Sequence, residues 1–447
     1  MTALARARGL PMWRALDVRD FRLLWASEAI SVVGDQFHYV ALSWLVISLT
    51  GSGLALGTIL ISIGVPRAIL LVPFGVLADR RPSRGLMLVA HLVRGVIVGA
   101  IAALVLTGAA TLPVLALLGA LFGVADAVYI PAQQAFLPRT LAADRLPSAN
   151  ALLQGTMQLA SIAGPPLAGA AIAITSTGAA FAVDAVSFLV AAVVVLLIGR
   201  AGAPVGVAAR EEAAPDASAP VAHEPFRQAI ASAIRYVRDD VALRTIMLLS
   251  LVLNLALNGP AAVGMPWLAD QRFHAGPTGL GFLAAGWAAG ALAGTVVAGN
   301  ARLDRQGNVM IGSVVVAGVM MAGVGLLPSL PLVAVALAIM GGAIGYTNIV
   351  AISWLQARVD GAMIGRVMSL VMLMSFGITP LSLGLSGALI DVDATALFVG
   401  SAGLVVLTGL AAFAVRFPAL FDAAPAVISP IGVETVPARA TAEGPTP

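Results

Sequence analysis

Twelve stretches of this chain run for about twenty residues or more with almost no charge, and most of the arginines collect in the segments between them. A helix crossing hydrocarbon needs about 20 mostly apolar residues. Such runs lie at 23–49, 54–78, 86–107, 112–137, 149–175, 178–199, 245–268, 279–299, 309–327, 331–355, 364–390 and 394–416. Turn signals such as TGSG (50–53), TSTG (175–178) and LPSLP (327–331) separate neighbouring runs. The chain has 60% hydrophobic and 11% charged residues, where a soluble domain carries about 25% charged. The reading is an all-α, multi-pass membrane protein with twelve transmembrane helices in two halves of six. The first run contains Glu28 and Asp35 and is too long for a cleavable signal peptide.

Arginine sets the expected orientation. Arg6, Arg8, Arg14, Arg19 and Arg22 precede the first helix, and Arg80, Arg81 and Arg84 follow the second. The fourth, eighth and tenth connections carry Arg139 and Arg145, Arg302 and Arg305, and Arg358 and Arg366, whereas the odd-numbered ones hold only Arg272. Positive residues stay inside, so both termini are expected in the cytoplasm. The divisions are a first half over 1–200, a cytoplasmic linker over 201–244, a second half over 245–417 and a disordered tail over 418–447. Within the linker, Phe226, Ile230, Ile234, Val237 and Val241 recur at helical spacing, which predicts an interfacial amphipathic helix. GVLADRRPSR after the second helix and NARLDRQGNV after the eighth align on Asp79 and Asp304, the mark of a parallel internal repeat.

Composition excludes several chemistries. The chain has no cysteine, hence no disulfide, thiolate metal site or cysteine nucleophile. It has no lysine, and a phosphate-binding loop needs one, so no nucleotide is expected to drive it. No metal-ligand cluster, nucleic-acid patch or cofactor motif stands out. GLSG (384–387) is the one echo of an intramembrane protease, and no histidine base follows His274. The expectation is not an enzyme.

With these residues in view, the chain resembles the major facilitator superfamily. GVLADRRPSR is similar to its signature GxxxDRxGRR, with Gly75, Asp79, Arg80 and Arg84 matching and Pro82 in place of glycine. Ala160, Gly164, Pro165, Ala168 and Gly169 resemble the antiporter signature gxxxGPxxGG with two alanines for glycines. FRLLWASEAISVVGDQF (21–37), VPRAILLVPFGVLADR (65–80), IPAQQAFLPRTLAADRLPSANALL (130–153) and GRVMSL (365–370) are similar to the macrolide-efflux and enterobactin-exporter branch. The resemblance covers about residues 18–417. It implies a bacterial cytoplasmic-membrane protein that moves a small molecule by alternating access. It also implies a cytoplasmic latch of Gly75, Asp79, Arg80 and Arg84, with Asp79 facing the start of helix eleven near Gly365 and Arg366, and Arg81 and Arg84 serving mainly topology. Gly164, Pro165 and Gly169 read as a helix-packing site, because small residues let backbones approach.

Ionisable groups inside a membrane are costly, so each needs a partner or a cavity. Glu28, Ser31, Asp35 and His38 share one face of helix one. Arg67 follows Pro66 about 18 Å along helix two from Asp79. His91 and Arg94 lie on helix three, Asp126, Tyr129 and Gln133 on helix four, and Asp184 on helix six. The second half instead offers Asn254 and Asn258, followed by a helix-breaking Gly259-Pro260, and Tyr346, Asn348 and Trp354. In the superfamily, helices one, four, seven and ten line the cavity. Asp35, Asp126 and Glu28 are therefore proton-coupling candidates, with Arg67 and Arg94 as charge partners. His38, Tyr129, Gln133, Asn254, Asn258, Tyr346, Asn348 and Trp354 are substrate-cavity candidates. Static pairing of Asp35 or Asp126 with Arg67 or Arg94 stays open as an alternative.

The expected activity is proton-coupled efflux of a small amphiphile by a monomer in the lipid bilayer. Import of a small solute or lipid is the alternative, and a non-transporting membrane protein a more distant one. The absence of cysteine makes the orientation testable. Single cysteines at Ser52, Ser176 and Ser329 are expected to react with an impermeant reagent from outside, and those at Ser83 and Ala142 are not. External labelling at Ser83 overturns the orientation.

Overall fold

The computed structural model describes residues 11–199, 226–300 and 305–422. Among them no strand forms, and twelve helices are long and apolar enough to cross a membrane. The first six spans are Arg19–Thr50, Gly53–Arg80, Ser83–Leu106, Leu112–Thr140, Leu146–Ile174 and Thr177–Leu197. The second six are Val241–Arg272, Gly276–Asn300, Gln306–Leu326, Leu330–Arg358, Gly361–Ile390 and Ala394–Ala414. Local chemistry sets several boundaries. Ser52, Ser176, Asp240 and Asp393 accept free amides at the starts of spans two, six, seven and twelve. Spans four, five and ten carry proline in their first turn, where its missing donor costs nothing. Gly51 ends the first span in the left-handed region, φ 63°.

The two halves repeat one packing pattern. Span two packs on four, three on four and six, and one on five and six. Eight packs likewise on ten, nine on ten and twelve, and seven on eleven and twelve. Adding six to each member of the first set gives the second, as a parallel repeat requires. Glycines bring spans eight and ten into backbone contact. A Cβ on Gly286 would sit 2.7 Å from the Ala334 carbonyl, and Gly290, Gly294, Gly341 and Gly345 meet the facing backbone more closely still.

Span seven does not break at Gly259-Pro260, contrary to the sequence expectation. Two π-helical turns, Pro260–Gly264 and Leu268–Arg272, carry it onward. Ser382 of span eleven fills the gap: Gly259 N–H donates to its hydroxyl (2.7 Å), which donates to the Leu255 carbonyl (2.6 Å). The hydroxyl thus bridges the backbone bond that residues 259 and 255 would otherwise share, and π turns arise at such disruptions.

The halves meet closely at the end away from the arginines. A Cβ on Gly57 would lie 2.8 Å from the Leu383 carbonyl, one on Gly387 2.7 Å from the Gly53 carbonyl, and one on Gly281 2.7 Å from the Pro165 carbonyl. Toward the arginine-rich end spans two and eleven splay. Gly64, Gly75 and Gly377 have open space where a side chain would project. There the apolar side chains form two clusters, one around Phe21, Met87 and Phe136, the other around Val237, Met247 and Val367, each confined to one half and its flanks.

The linker forms the helix Phe226–Asp239, docked on spans seven and eleven with Ala233 and Val237 buried. Arg366 donates to Ser232 (2.9 Å), and Asp240 both caps span seven and accepts from Arg358 (2.9 Å). Beyond the last span, Phe417–Asp422 is helical rather than disordered, because Trp354 stacks on Phe421 (4.8 Å) and donates to its carbonyl (2.8 Å). The expected disorder over 423–447, the loose linker stretch up to residue 225, and Asp304 lie outside the described residues. Ser83 is buried and accepts from Arg139 (3.1 Å), so Ala142, which is exposed, is the informative labelling position.

The eight–ten contact gives a stability test. Gly290→Val has no space to enter and is expected to cost at least the roughly 1–3 kcal/mol of an overpacked core. Gly403→Val, which meets open space, is expected to be neutral. Melting of both variants in detergent checks this, and equal melting temperatures contradict it.

Candidate functional site

The first half holds a buried charge cluster. Asp126 of span four accepts from Arg94 of span three (2.5 Å) and from Arg67 of span two (3.4 Å). Arg94 is only 5% exposed in its side chain, whereas Arg67 is 40% exposed. Aromatic rings enclose the Arg94 guanidinium: Tyr129 at 4.3 Å, Phe188 at 5.4 Å and Phe122 at 5.8 Å. Such faces attract a cation once water is removed. Asp126 is therefore clamped between two guanidiniums, and of the open pairings the Asp126 one is present with both arginines. Asp35 makes no ion pair within 4 Å among the described residues; its electrostatic neighbours are Asp184, Arg94, Asp126 and Glu28. Glu28 is buried beside Arg94 and Gln133, and its Oε1 has no hydrogen-bond partner.

Two expected cavity residues are packed inside the first half instead. His38 stacks on Phe122 (4.9 Å), meets Phe181 edge-on (5.3 Å), and places Nδ1 3.1 Å from Asp184 Oδ2. Asp184 is fully buried and also accepts from Ser187 (3.3 Å). Tyr129 is buried between His91 (4.6 Å) and Arg94. Both point inward because the ion pairs and aromatic rings lie on that side of spans one and four.

The second half holds a cavity of about 230 Å³ lined by Ser250, Asn254, Asn258, Trp287, Thr347 and Asn348 among apolar side chains. No charged side chain lines it. The asparagines form a ladder: Asn258 donates to Asn254 Oδ1 (3.1 Å), and Asn254 donates to the Ser250 carbonyl (2.8 Å). Each reaches span eleven as well, at Thr379 and Ser375 (both 3.4 Å). Tyr346 and Trp354, expected in this cavity, are elsewhere. Tyr346 lies two residues before Asn348 on span ten and borders a separate groove between spans eight, nine and ten. Trp354 anchors the C-terminal helix. Trp287 and Thr347 escape a reading based on charge, although Trp287 is the one large aromatic between Phe282 and Asn300.

The latch signature is only partly engaged. Gly75 faces open space and Arg80 is exposed. Arg84 instead donates to the Val195 and Leu196 carbonyls (3.2 and 2.7 Å), closing the end of span six within its own half. The side chain of Asp79 lies outside what the structure describes. Arg139, which the motif does not include, ties the loop down through the Ala78 and Arg81 carbonyls (3.2 and 3.4 Å). The packing motif of span five serves two neighbours: Gly164 lies against Gln36 of span one, Gly169 against the Pro277 backbone of span eight, and the Pro165 carbonyl against Gly281.

Residues 11–431 match the family described as transmembrane secretion effector. The chain is similar to the multidrug efflux pump Tap of Mycolicibacterium fortuitum, 27% identical over 80% of this chain and 86% of that one. It is equally similar to Tap of Mycobacterium tuberculosis (strain ATCC 25618 / H37Rv), 27% identical over 91% of this chain and 95% of that one. Among solved structures it resembles a bacterial homologue of the iron transporter ferroportin in the inward-facing state, with TM-score 0.69 and 15% identity, covering 91% of this chain and 99% of that one. At that identity the likeness concerns the fold alone.

The two arginines on Asp126 differ in burial, and their variants are expected to differ in stability. Arg94→Met leaves the buried Asp126 with only the long Arg67 contact and is expected to cost up to about 3–5 kcal/mol. Arg67→Met removes a longer, half-exposed pair and is expected to cost about 0–1 kcal/mol. Detergent melting of the two variants distinguishes them, and equal losses contradict the asymmetry.

Proposed function

The chain belongs to the transmembrane secretion effector family of major facilitator transporters, and from that premise we propose that it exports a small amphiphilic molecule in exchange for protons by alternating access. It is a multi-pass transporter of the bacterial inner membrane. The efflux pumps among its relatives favour the outward direction.

The observation that carries the proton reading is charge balance in the first half. Glu28, Asp35, Asp126 and Asp184 face Arg67, Arg94 and His38. Four carboxylates against two guanidiniums leave a surplus that a low-dielectric interior does not carry unbalanced. Protons taken up in one access state and released in the other balance it. Asp126 is committed to its arginines, so coupling falls to Asp35, with Glu28 as its nearest alternate. Asp79 and Arg80 act as the latch when the arginine-rich end closes.

Substrate contacts fall to the uncharged cavity of the second half. Asn258 and Asn348 present amide groups to the cavity, and Trp287 presents a ring. An amphiphile with hydrogen-bonding groups at one end and an apolar body suits these walls.

Inside-out vesicles under an imposed proton gradient test the reading. Asp35→Asn is expected to abolish uphill export while substrate still binds and exchanges downhill, because the amide mimics a protonated carrier. If Asp35→Asn still builds a full gradient, Asp35 is not the coupling site. If the unaltered protein drives substrate in the opposite direction, it is an importer.

A further inference from the structure

We infer that Asp391, at the end of span eleven, is the catch that holds the two halves together at the end opposite the arginines and so sets the balance between the two access states. Its carboxylate crosses from the second half to the start of span two in the first. Ser52 Oγ donates to Oδ2 (2.6 Å), Gly53 N–H to Oδ1 (2.6 Å) and Leu54 N–H to Oδ2 (3.1 Å). The first amides of a helix have no partner within the helix and carry its positive end. A carboxylate there makes charge-assisted hydrogen bonds.

The contact sits directly over a close approach of the halves. Gly53 lies against Ile390, a Cβ there would come 3.3 Å from Asp391 Oδ1, and Gly387 meets the Gly53 carbonyl. Parting of spans two and eleven therefore has to break these three bonds. Asp391 is exposed, so water takes over both the carboxylate and the amides as they part, and the catch can release on every cycle. The repeat supplies an internal comparison. The repeat-related cross-half contact, span five on span eight, closes through glycine and proline backbone, and Ile174 at the end of span five is followed by Thr175 and Ser176, with no acid. One of the two equivalent closures carries a charge and the other does not.

This inference concerns the balance of access states and stands whatever the direction of transport or the coupling ion. The cysteine-free chain takes spin labels at chosen sites without further change. One pair, Ala109→Cys with Ser329→Cys, spans the closed end; another, Ala142→Cys with Gln306→Cys, spans the arginine-rich end. Distances are measured by pulsed electron resonance on the full chain in lipid nanodiscs. Asp391→Asn is expected to raise the open-to-closed ratio at the first pair by roughly two- to fivefold, the scale of an exposed carboxylate on a helix start. The second pair is expected to shorten in step. Ser52→Ala removes one of the three bonds, is expected to move both pairs the same way by less, and carries the test alone should Asp391→Asn fail to fold. Asp393→Asn removes an equal charge two residues away, but Asp393 caps only its own span through Ala396, and both pairs are expected to stay unchanged. Unaltered distances in both Asp391→Asn and Ser52→Ala overturn the proposal, as does an equal shift in Asp393→Asn.

Discussion

The charge that the first half must keep away from lipid governs much of the rest. An Asp126 carboxylate held by Arg94 and Arg67 is tolerable only because three rings wall off the inner guanidinium and because spans two, three and four stay in fixed register around it. That requirement draws Phe122, Tyr129 and Phe188 inward and takes Tyr129 away from any cavity. His38 and Asp184 repeat the arrangement between spans one and six. The first half is thus a rigid polar core wrapped in an apolar shell, with Asp35 the acid whose partners are not fixed.

The second half has no such core and is held by proximity instead. Gly290, Gly294, Gly341 and Gly345 let spans eight and ten touch backbone to backbone, where lipid offers no hydrophobic drive and close packing supplies the attraction. A half whose one buried ion pair, Asp240 with Arg358, lies at the end of its spans can spend its mid-span polar side chains on a cavity wall, which is where the Asn254–Asn258 ladder lies. Two halves with one fold and one packing pattern therefore differ in what fills them.

Much of this was legible in the sequence. Hydropathy located all twelve spans, since a run of apolar residues in lipid has few alternatives to a helix. Charges stand out against that background, so Arg67 and Arg94 read as partners of Asp126 or Asp35 from the sequence alone, and the fold decides for Asp126. What the sequence could not show was direction around each helix. Tyr346 and Asn348 are two residues apart on span ten and face different spaces; Trp354 faces a C-terminal helix that reads as tail. Asp391 escaped notice because an acid at a loop is ordinary, and only the fold brings it to the start of a span more than three hundred residues earlier. Ser382 escaped for the same reason: a serine in an apolar run carries no sign that its hydroxyl completes another helix.

That hydroxyl has a mechanical meaning. Ser382 precedes Leu383, whose carbonyl rests against Gly57, so the splice into span seven lies beside the close contact of spans two and eleven. Span seven also carries Asn254 and Asn258, which are tied to span eleven two turns and one turn from Ser382, at Ser375 and Thr379. Spans seven and eleven are thereby riveted to one another from the closed end to the asparagine wall, so a shift of either span carries cavity-lining side chains with it.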